Sequence, residues 1–579
     1  MSLQRSLLAT ATLFVGLVLL GVYFFFDSGN QLMLWFSILV SSASLSSILA
    51  QTGSYKMKLA ALLLFASAYH VAPLLRGGGV GLPSRLLYSR DEAYQAQLDS
   101  LVLESGTWRP GIGLGPAFAY SFYPSLTMVS VVVANVFGAN TGVSFFVNVT
   151  FPIVTAVLPL MFYVASMGKI LRDANWALWS AYIFILNEQF LFFDSSFAYE
   201  SLGIIFFTLT IYLLTTRFNR AGKLLTILNI LAMTFSHFWT NFNLIFFLAV
   251  FYLTPYALRL LYDRRASVMK TSSLLTLNST TLLIAVFSFA AYSSFVATIV
   301  PLRYGIPLLL VLSQIIAPVS RIAPNPQYRS TFEIFLIILG QLVLIVFGTH
   351  GFLSRKVGPL APFLKTIFVI GGIYLMVILF ALPGSLAQPV IHRGFFFAFF
   401  VLAPVIAWTI ARSGKAWRRK MKALLLVLVV VSIVLIQEPW FIYPDFVAPP
   451  SQFYAGVWAS SHIPFGSPII GTGSISDTFG TYGRLRDLGV GSYYGNEHLI
   501  VGSFLQRNVS NLLKPYDARY LAFSSNNNSR VLRYFVEQQE STVPGQEFLS
   551  NTTQYLDQTP RFDRVLNSGY VSVYYVGYY

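Results

Sequence analysis

The sequence predicts an all-α polytopic membrane domain followed by a small extracytoplasmic α/β domain. Three observations predict it. The 579 residues are 55% hydrophobic and only 10% charged, less than half the roughly 25% charge of a soluble domain. Apolar runs of about 20 residues, the length that a hydrocarbon layer of about 30 Å demands, recur along most of the chain. From Glu438 onward, charged and polar residues return in segments of period-two hydrophobicity. The supply of charge cannot cover a water-facing surface for 64.6 kDa. This excludes an ordinary soluble globular protein and a disordered chain. The absence of Cys excludes a disulfide scaffold. A net charge of +16 invites a nucleic-acid partner. The position of the bases argues against one, because many sit in short loops between apolar runs.

Each element follows from this frame. The first apolar run, 6–26, follows Arg5 and lacks a small-residue cleavage site, so it reads as a retained helix rather than a removed signal peptide. Further spans are expected at 32–50, 58–75, 142–167, 174–193, 201–216, 224–236, 241–258, 273–297, 332–350, 360–380, 394–411 and 423–437. The basic loops at Lys56/Lys58, Lys169/Arg172, Arg217/Arg220/Lys223, Arg259/Arg264/Arg265/Lys270, Arg355/Lys356 and 412–422 all fall on one side of this arrangement. That side is the cytoplasm, opposed there only by Asp173 and Asp263. Asp27, Asp91, Glu92, Asp99, Glu104, Asp194 and Glu200 fall on the other side. About thirteen crossings place the N-terminus inside and the C-terminus outside. Two shorter apolar stretches, 125–138 and 304–319, would break that parity and read as helices at the outer face.

Residues 1–56 are thus expected as a transmembrane hairpin and 57–437 as the main membrane domain, with outer loops 76–141 and 298–331. Residues 438–579 form the α/β domain, with a strand over 518–523, a helix over 529–538 and a hairpin of 562–566 and 570–576 around Asn567-Ser568-Gly569. Asn508, Asn527 and Asn551 begin glycosylation tripeptides in it.

Chemistry is expected in the outer loops. Asp91 and Glu92 stand adjacent in the first of them. Two such carboxylates can bind a divalent cation, or one can act as a general base. The plainer reading is that they favour the first turn of the next helix. A second acidic site runs from Asp194 to Glu200, and His237 stands in Ser236-His237-Phe238-Trp239 at another outer end. The outer face also carries Arg303, Arg321 and Arg329 around 304–319, and Arg393 opens the Phe-rich run 395–400. Each has a plain reading too. Arginines bind lipid headgroups, and a histidine among aromatics is commonly a packing residue.

An acidic pair in the first long outer loop, a Tyr123-Pro124 helix ending in Phe137-Gly138 and a second acidic site two crossings later form a pattern. A basic outer loop and a C-terminal α/β domain complete it. This layout resembles the GT-C glycosyltransferases, integral-membrane enzymes that use polyprenyl-phosphate sugars. Among them are protein mannosyltransferases, aminoarabinose lipid transferases and oligosaccharyltransferase catalytic subunits. The Ser-His-aromatic segment, Arg393 and the segment Ala455-Gly456-Val457-Trp458-Ala459 resemble archaeal members. The resemblance implies that Asp91 is the catalytic carboxylate with Glu92 beside it. It also implies that Asp194, Glu200 and His237 serve the acceptor or a metal, and that Arg303, Arg321, Arg329 and Arg393 meet the donor phosphate. A divalent cation, magnesium or manganese, would sit with Asp91, Glu92 and Asp194. The implied activity is inverting sugar transfer on the outer face of the cell membrane. The donor is a polyprenyl-phosphate-linked sugar held in membrane lipid, and the acceptor a glycan, lipid or protein. Three features depart from the pattern, and two of them count against peptide-sequon transfer. Asp194…Glu200 does not match the Asp-x-Asp type site of the oligosaccharyltransferase subunits. No Trp-Trp-Asp-Tyr-Gly motif stands in 438–579, and the helices over 6–26 and 32–50 precede the family's usual start.

Two other classes compete. A transporter or flippase for a lipid-linked substrate needs ionisable residues in mid-span and two matching halves, yet Glu188 and Lys365 lie near span ends and no symmetry is visible. A non-catalytic scaffold would show outer acids and bases that do not converge. Phosphate-loop and dinucleotide signatures are missing from the sequence.

Overall fold

The computed structural model describes residues 2–25, 30–51, 53–72, 95, 98–99, 101–103, 105–110, 121–137, 150–186, 199–216, 220–261, 279–297, 346–347, 349, 388–412, 416–437, 455–456, 458–459, 461–464, 467–471, 486–487, 518–524, 553–567 and 571–576. The chain is mostly helical with a small C-terminal sheet.

The helices stand where the apolar runs placed them. They are α1 (Ser2–Phe25), α2 (Gln31–Ala50), α3 (Tyr55–Val71), α4 (Ser125–Phe137), α5 (Phe151–Leu171), α6 (Ala174–Ile185), α7 (Tyr199–Thr215), α8 (Arg220–Thr234), α9 (Phe238–Leu261), α10 (Ser279–Phe295), α11 (Gln388–Ala411) and α12 (Trp417–Gln437). Among the described residues, Leu32–Ala50 and Phe151–Leu171 are long and apolar enough to cross a membrane. The apolar helical stretches Leu7–Tyr23, Ser125–Phe137, Glu200–Thr215, Phe238–Val250, Thr280–Phe295 and Phe399–Ala411 are shorter. The spans expected over 332–350 and 360–380 lie outside the described residues, save 346, 347 and 349. The outer stretch 304–319 lies outside them as well.

Packing explains the assembly. One cluster of buried side chains runs through α1, α2, α3 and every helix from α5 to α12. Its centre is aromatic: Tyr163 stacks on Phe184 with centroids 4.9 Å apart and meets Phe400 edge-on at 5.0 Å. Helices α1 and α2 pack closely because Gly16 carries no side chain, where a Cβ would come within 3.0 Å of the Ser41 backbone nitrogen. Helix α6 starts on an Asp173 cap whose carboxylate accepts from the backbone N–H groups of Asn175 and Trp176.

Pro404 lies inside α11. It has no N–H to give the carbonyl four residues earlier, that of Phe400. The hydroxyl of Tyr163 on α5 donates to that carbonyl at 3.3 Å, so a neighbouring helix supplies the missing donor.

The C-terminal sheet has the order β2-β1-β3-β5-β4, with strands β1 (Pro468–Gly471), β2 (Arg486–Asp487), β3 (Tyr520–Ser524), β4 (Phe562–Asn567) and β5 (Val571–Val576). β1 runs parallel to β2 and β3, while β5 is antiparallel to β3 and β4. The expected strand at 518–523 and the hairpin are present. The parallel strand β1 was not anticipated, and the helix expected over 529–538 lies outside the described residues. Ile469, Ala522, Val571 and Val573 of the sheet pack on Ala455, Ala459 and Ile463.

Candidate active site at one end of the bundle

Three helices meet where α7 begins, α9 begins and α11 enters the bundle. Glu200 is the second residue of α7 and His237 directly precedes α9. The sequence places each at the outer end of a separate span, and the fold brings them together. His237 Nε2 lies 3.1 Å from Glu200 Oε1, with both side chains buried. Ile204, Trp239, Thr240, Phe396 and Phe397 complete the lining of a small pocket around the pair.

The approach depends on Gly203. A Cβ there would lie 3.0 Å from Thr240 Oγ1 and 3.2 Å from His237 Cβ. Glycine therefore lets α7 close on the turn that carries the histidine. That turn also orients the ring. The backbone N–H of Thr240 donates to His237 Nδ1 at 3.3 Å, and Thr240 Oγ1 lies 2.6 Å from the same nitrogen. With Nδ1 accepting, the ring proton of neutral His237 sits on Nε2, toward Glu200.

This protonation pattern bears on a cation. An imidazole that ligates through Nε2 ordinarily carries its proton on Nδ1 and donates it to a second group, whereas here Nδ1 accepts. Among the described residues no group of three His, Asp or Glu is placed to hold a metal. Glu200 and His237 do not fit a cation site as they stand.

A second polar cluster lies where α4 packs on the helical residues Gln95 and Asp99. Gln95 Nε2 donates to Asp99 Oδ1 at 2.8 Å and contacts Thr127 Oγ1 at 2.7 Å. All three side chains are buried. Burial pushes the Asp99 carboxyl up to about 7, and hydrogen bonds from Ser130, Gln95 and Thr127 oppose it. In the sequence Asp99 stands only among the acids that sort to one side of the spans, with no role assigned to it. Its signal was the four-residue spacing from Gln95 on one helix face. Tyr292 on α10 donates to the carbonyl of Phe122, and the backbone N–H of Ser125 reaches the carbonyl of Phe235 at 3.4 Å. These contacts tie the start of α4 to the turn that precedes His237.

Asp91, Glu92, Asp194, Arg303, Arg321 and Arg329 lie outside the described residues. Arg393 falls within α11, three residues before Phe396, which lines the pocket.

Compared with known protein families and with curated proteins, the sequence matches none. Solved structures do match. One is the Archaeoglobus fulgidus oligosaccharyltransferase tethered to an acceptor peptide containing an NVT sequon, with a TM-score of 0.52 at 10% identity, covering 90% of this chain and 74% of that one. The apo form of the same enzyme gives a TM-score of 0.49 at 11% identity, over 83% and 71% of the two chains. ArnT from Cupriavidus metallidurans bound to undecaprenyl phosphate gives 0.39 at 12% identity, over 90% and 98%. The first of these bears on the fold. The chain shares its fold with that oligosaccharyltransferase.

Proposed function

We propose that this protein is a membrane glycosyltransferase that moves a sugar from a polyprenyl-phosphate donor to an acceptor on the outer face of the membrane. The observation that carries the reading is the buried Glu200–His237 pair at one end of a bundle with the fold of an oligosaccharyltransferase. In this reading the basic loops face the cytoplasm, and 438–579 is an extracytoplasmic domain following the membrane domain 57–437 and the hairpin 1–56.

The chemistry asks for a carboxylate near the acceptor, cations at the donor phosphate and a site screened from water. Asp91, with Glu92 beside it, takes the proton of the acceptor hydroxyl. The acceptor oxygen bonds to the anomeric carbon on the face opposite the phosphate. The carbon–oxygen bond to phosphate breaks, and its electron pair leaves on the polyprenyl phosphate. A single displacement inverts the anomeric configuration. Such general-base assistance contributes typically 10²–10⁴-fold. Arg303, Arg321, Arg329 and Arg393 meet the leaving phosphate, for which the forked guanidinium is suited. Asp194, Glu200 and His237 line the acceptor side, where a buried ionisable pair orders donors and acceptors at low reorganisation cost. A divalent cation held by Asp91, Glu92 and Asp194 would neutralise phosphate charge when bound. The acceptor is a glycan, lipid or protein.

The test is transfer of a radiolabelled sugar from polyprenyl-phosphate donors in membranes expressing wild type, Asp91→Asn or Glu200→Gln. Transfer by the wild type that is lost in folded Asp91→Asn supports the base assignment. Equal transfer by both removes Asp91 from the mechanism. Absence of transfer across a donor panel, together with donor movement in a flipping assay, would replace the enzyme reading with a flippase.

A further inference from the structure

At the opposite end of the bundle lies a larger cavity, of about 1210 Å³, between the N-terminal hairpin and α12. It exceeds the roughly 300–1,000 Å³ of ordinary small-ligand pockets. Fourteen residues of α11 separate Phe397, in the pocket of the Glu200–His237 pair, from the end of that helix at Ala411. At 1.5 Å per residue that is roughly 20 Å. The two cavities are therefore distinct sites.

The large cavity is amphipathic in a definite order. Leu39, Leu425 and Leu426 give it apolar walls, and Arg418 and Lys422 stand at its edge. Both cations are exposed. They belong to the first turns of α12, which has no acidic residue in its first turn. Cations at a helix N-terminus oppose its dipole, whereas an anion there is favoured. The aromatic floor is fixed independently, for Trp417 packs edge-on against Trp176 and Trp179 with centroids 5.3 and 6.0 Å apart.

We propose that this cavity binds one anionic membrane lipid, its phosphate between Arg418 and Lys422 and its chains against the hairpin α1–α2. Basic pockets between membrane helices bind anionic headgroups in this way, and the long apolar walls call for chains as well as a phosphate. The lipid fills the seam between the hairpin and the rest of the bundle, where protein side chains leave space.

The experiment is native mass spectrometry of the full chain, delipidated in detergent and titrated with phosphatidylglycerol, phosphatidylcholine or inorganic phosphate. Wild type is expected to take up one phosphatidylglycerol saturably, with weaker phosphatidylcholine uptake and no displacement by inorganic phosphate. Replacing both Arg418→Gln and Lys422→Gln should weaken phosphatidylglycerol binding about thirtyfold. Ser47→Trp, which places a ring from an exposed lining position into the cavity, should abolish it while the protein stays monodisperse. Arg419→Gln with Lys420→Gln removes the same charge from residues that do not line the cavity and should leave binding unchanged. Equal weakening by the two charge pairs, retention in Ser47→Trp, or displacement by inorganic phosphate would each overturn the proposal.

Discussion

Glu200 Oε1 and His237 Nε2 stand 3.1 Å apart across the junction of α7 and α9, both shielded from solvent. Removing one partner of a buried ionisable pair leaves the other uncompensated, which costs about 3–5 kcal/mol. His237→Ala is therefore expected to lower thermal stability more than Glu200→Gln, which keeps the shape and a polar head. The double variant should be less destabilised than the sum of the singles, with a coupling of about 1–3 kcal/mol. Additive losses in a thermal-unfolding cycle would show that the two residues act separately.

Gly203 sets the spacing between those helices. Gly203→Ala introduces a Cβ at 3.0–3.2 Å from Thr240 and His237, so the turn must give way by a few tenths of an ångström. Overpacking of this kind costs about 1–3 kcal/mol. With Glu200 and His237 in the acceptor-side role proposed above, sugar transfer should fall more than stability does. Parallel measurement of transfer and melting temperature checks this; unchanged transfer would mean that the pair tolerates displacement.

Asp99 gives a pH dependence. Its folded-state carboxyl is raised from 3.8 to about 7 by burial, so the folded state holds the proton more tightly than the unfolded chain. Stability then falls as pH rises from about 4 to about 7, and levels off above. Asp99→Asn imitates the protonated side chain and keeps an acceptor for Gln95. The variant should lose the decline that wild type shows in melting temperature between pH 5 and pH 8. A variant curve parallel to wild type would place the titrating group elsewhere.

Asp173 caps α6 through two backbone N–H groups, those of Asn175 and Trp176. Asp173→Ala should cost about 1 kcal/mol, whereas Asp173→Ser should restore most of it. Trp179 and Tyr182 of the same helix line the large cavity, so phosphatidylglycerol uptake offers a second readout.

Much of this architecture was legible because each helix buries a long apolar run, and such a run needs no partner to be recognised. Helix α4 was legible for the same reason, with Tyr123-Pro124 marking its start. The parallel strand β1 was not, since it spans only Pro468–Gly471 and pairs with β3 some fifty residues away. Glu200 and His237 were each singled out from local context. Their pairing depends on α7 lying against α9, which no local spacing reveals. Asp99 was missed because a lone loop carboxylate looks solvated until α4 covers it.

The hydroxyl of Tyr163 that completes the ladder of α11 at Pro404 carries a historical consequence. While Pro404 is present, Tyr163→Phe strands the Phe400 carbonyl; with alanine at 404, the helix supplies its own donor and the hydroxyl becomes dispensable. Proline at 404 and tyrosine at 163 are thus contingent on each other. In divergent relatives aligned across α5 and α11, a proline without its tyrosine should be rarer than the loss of both.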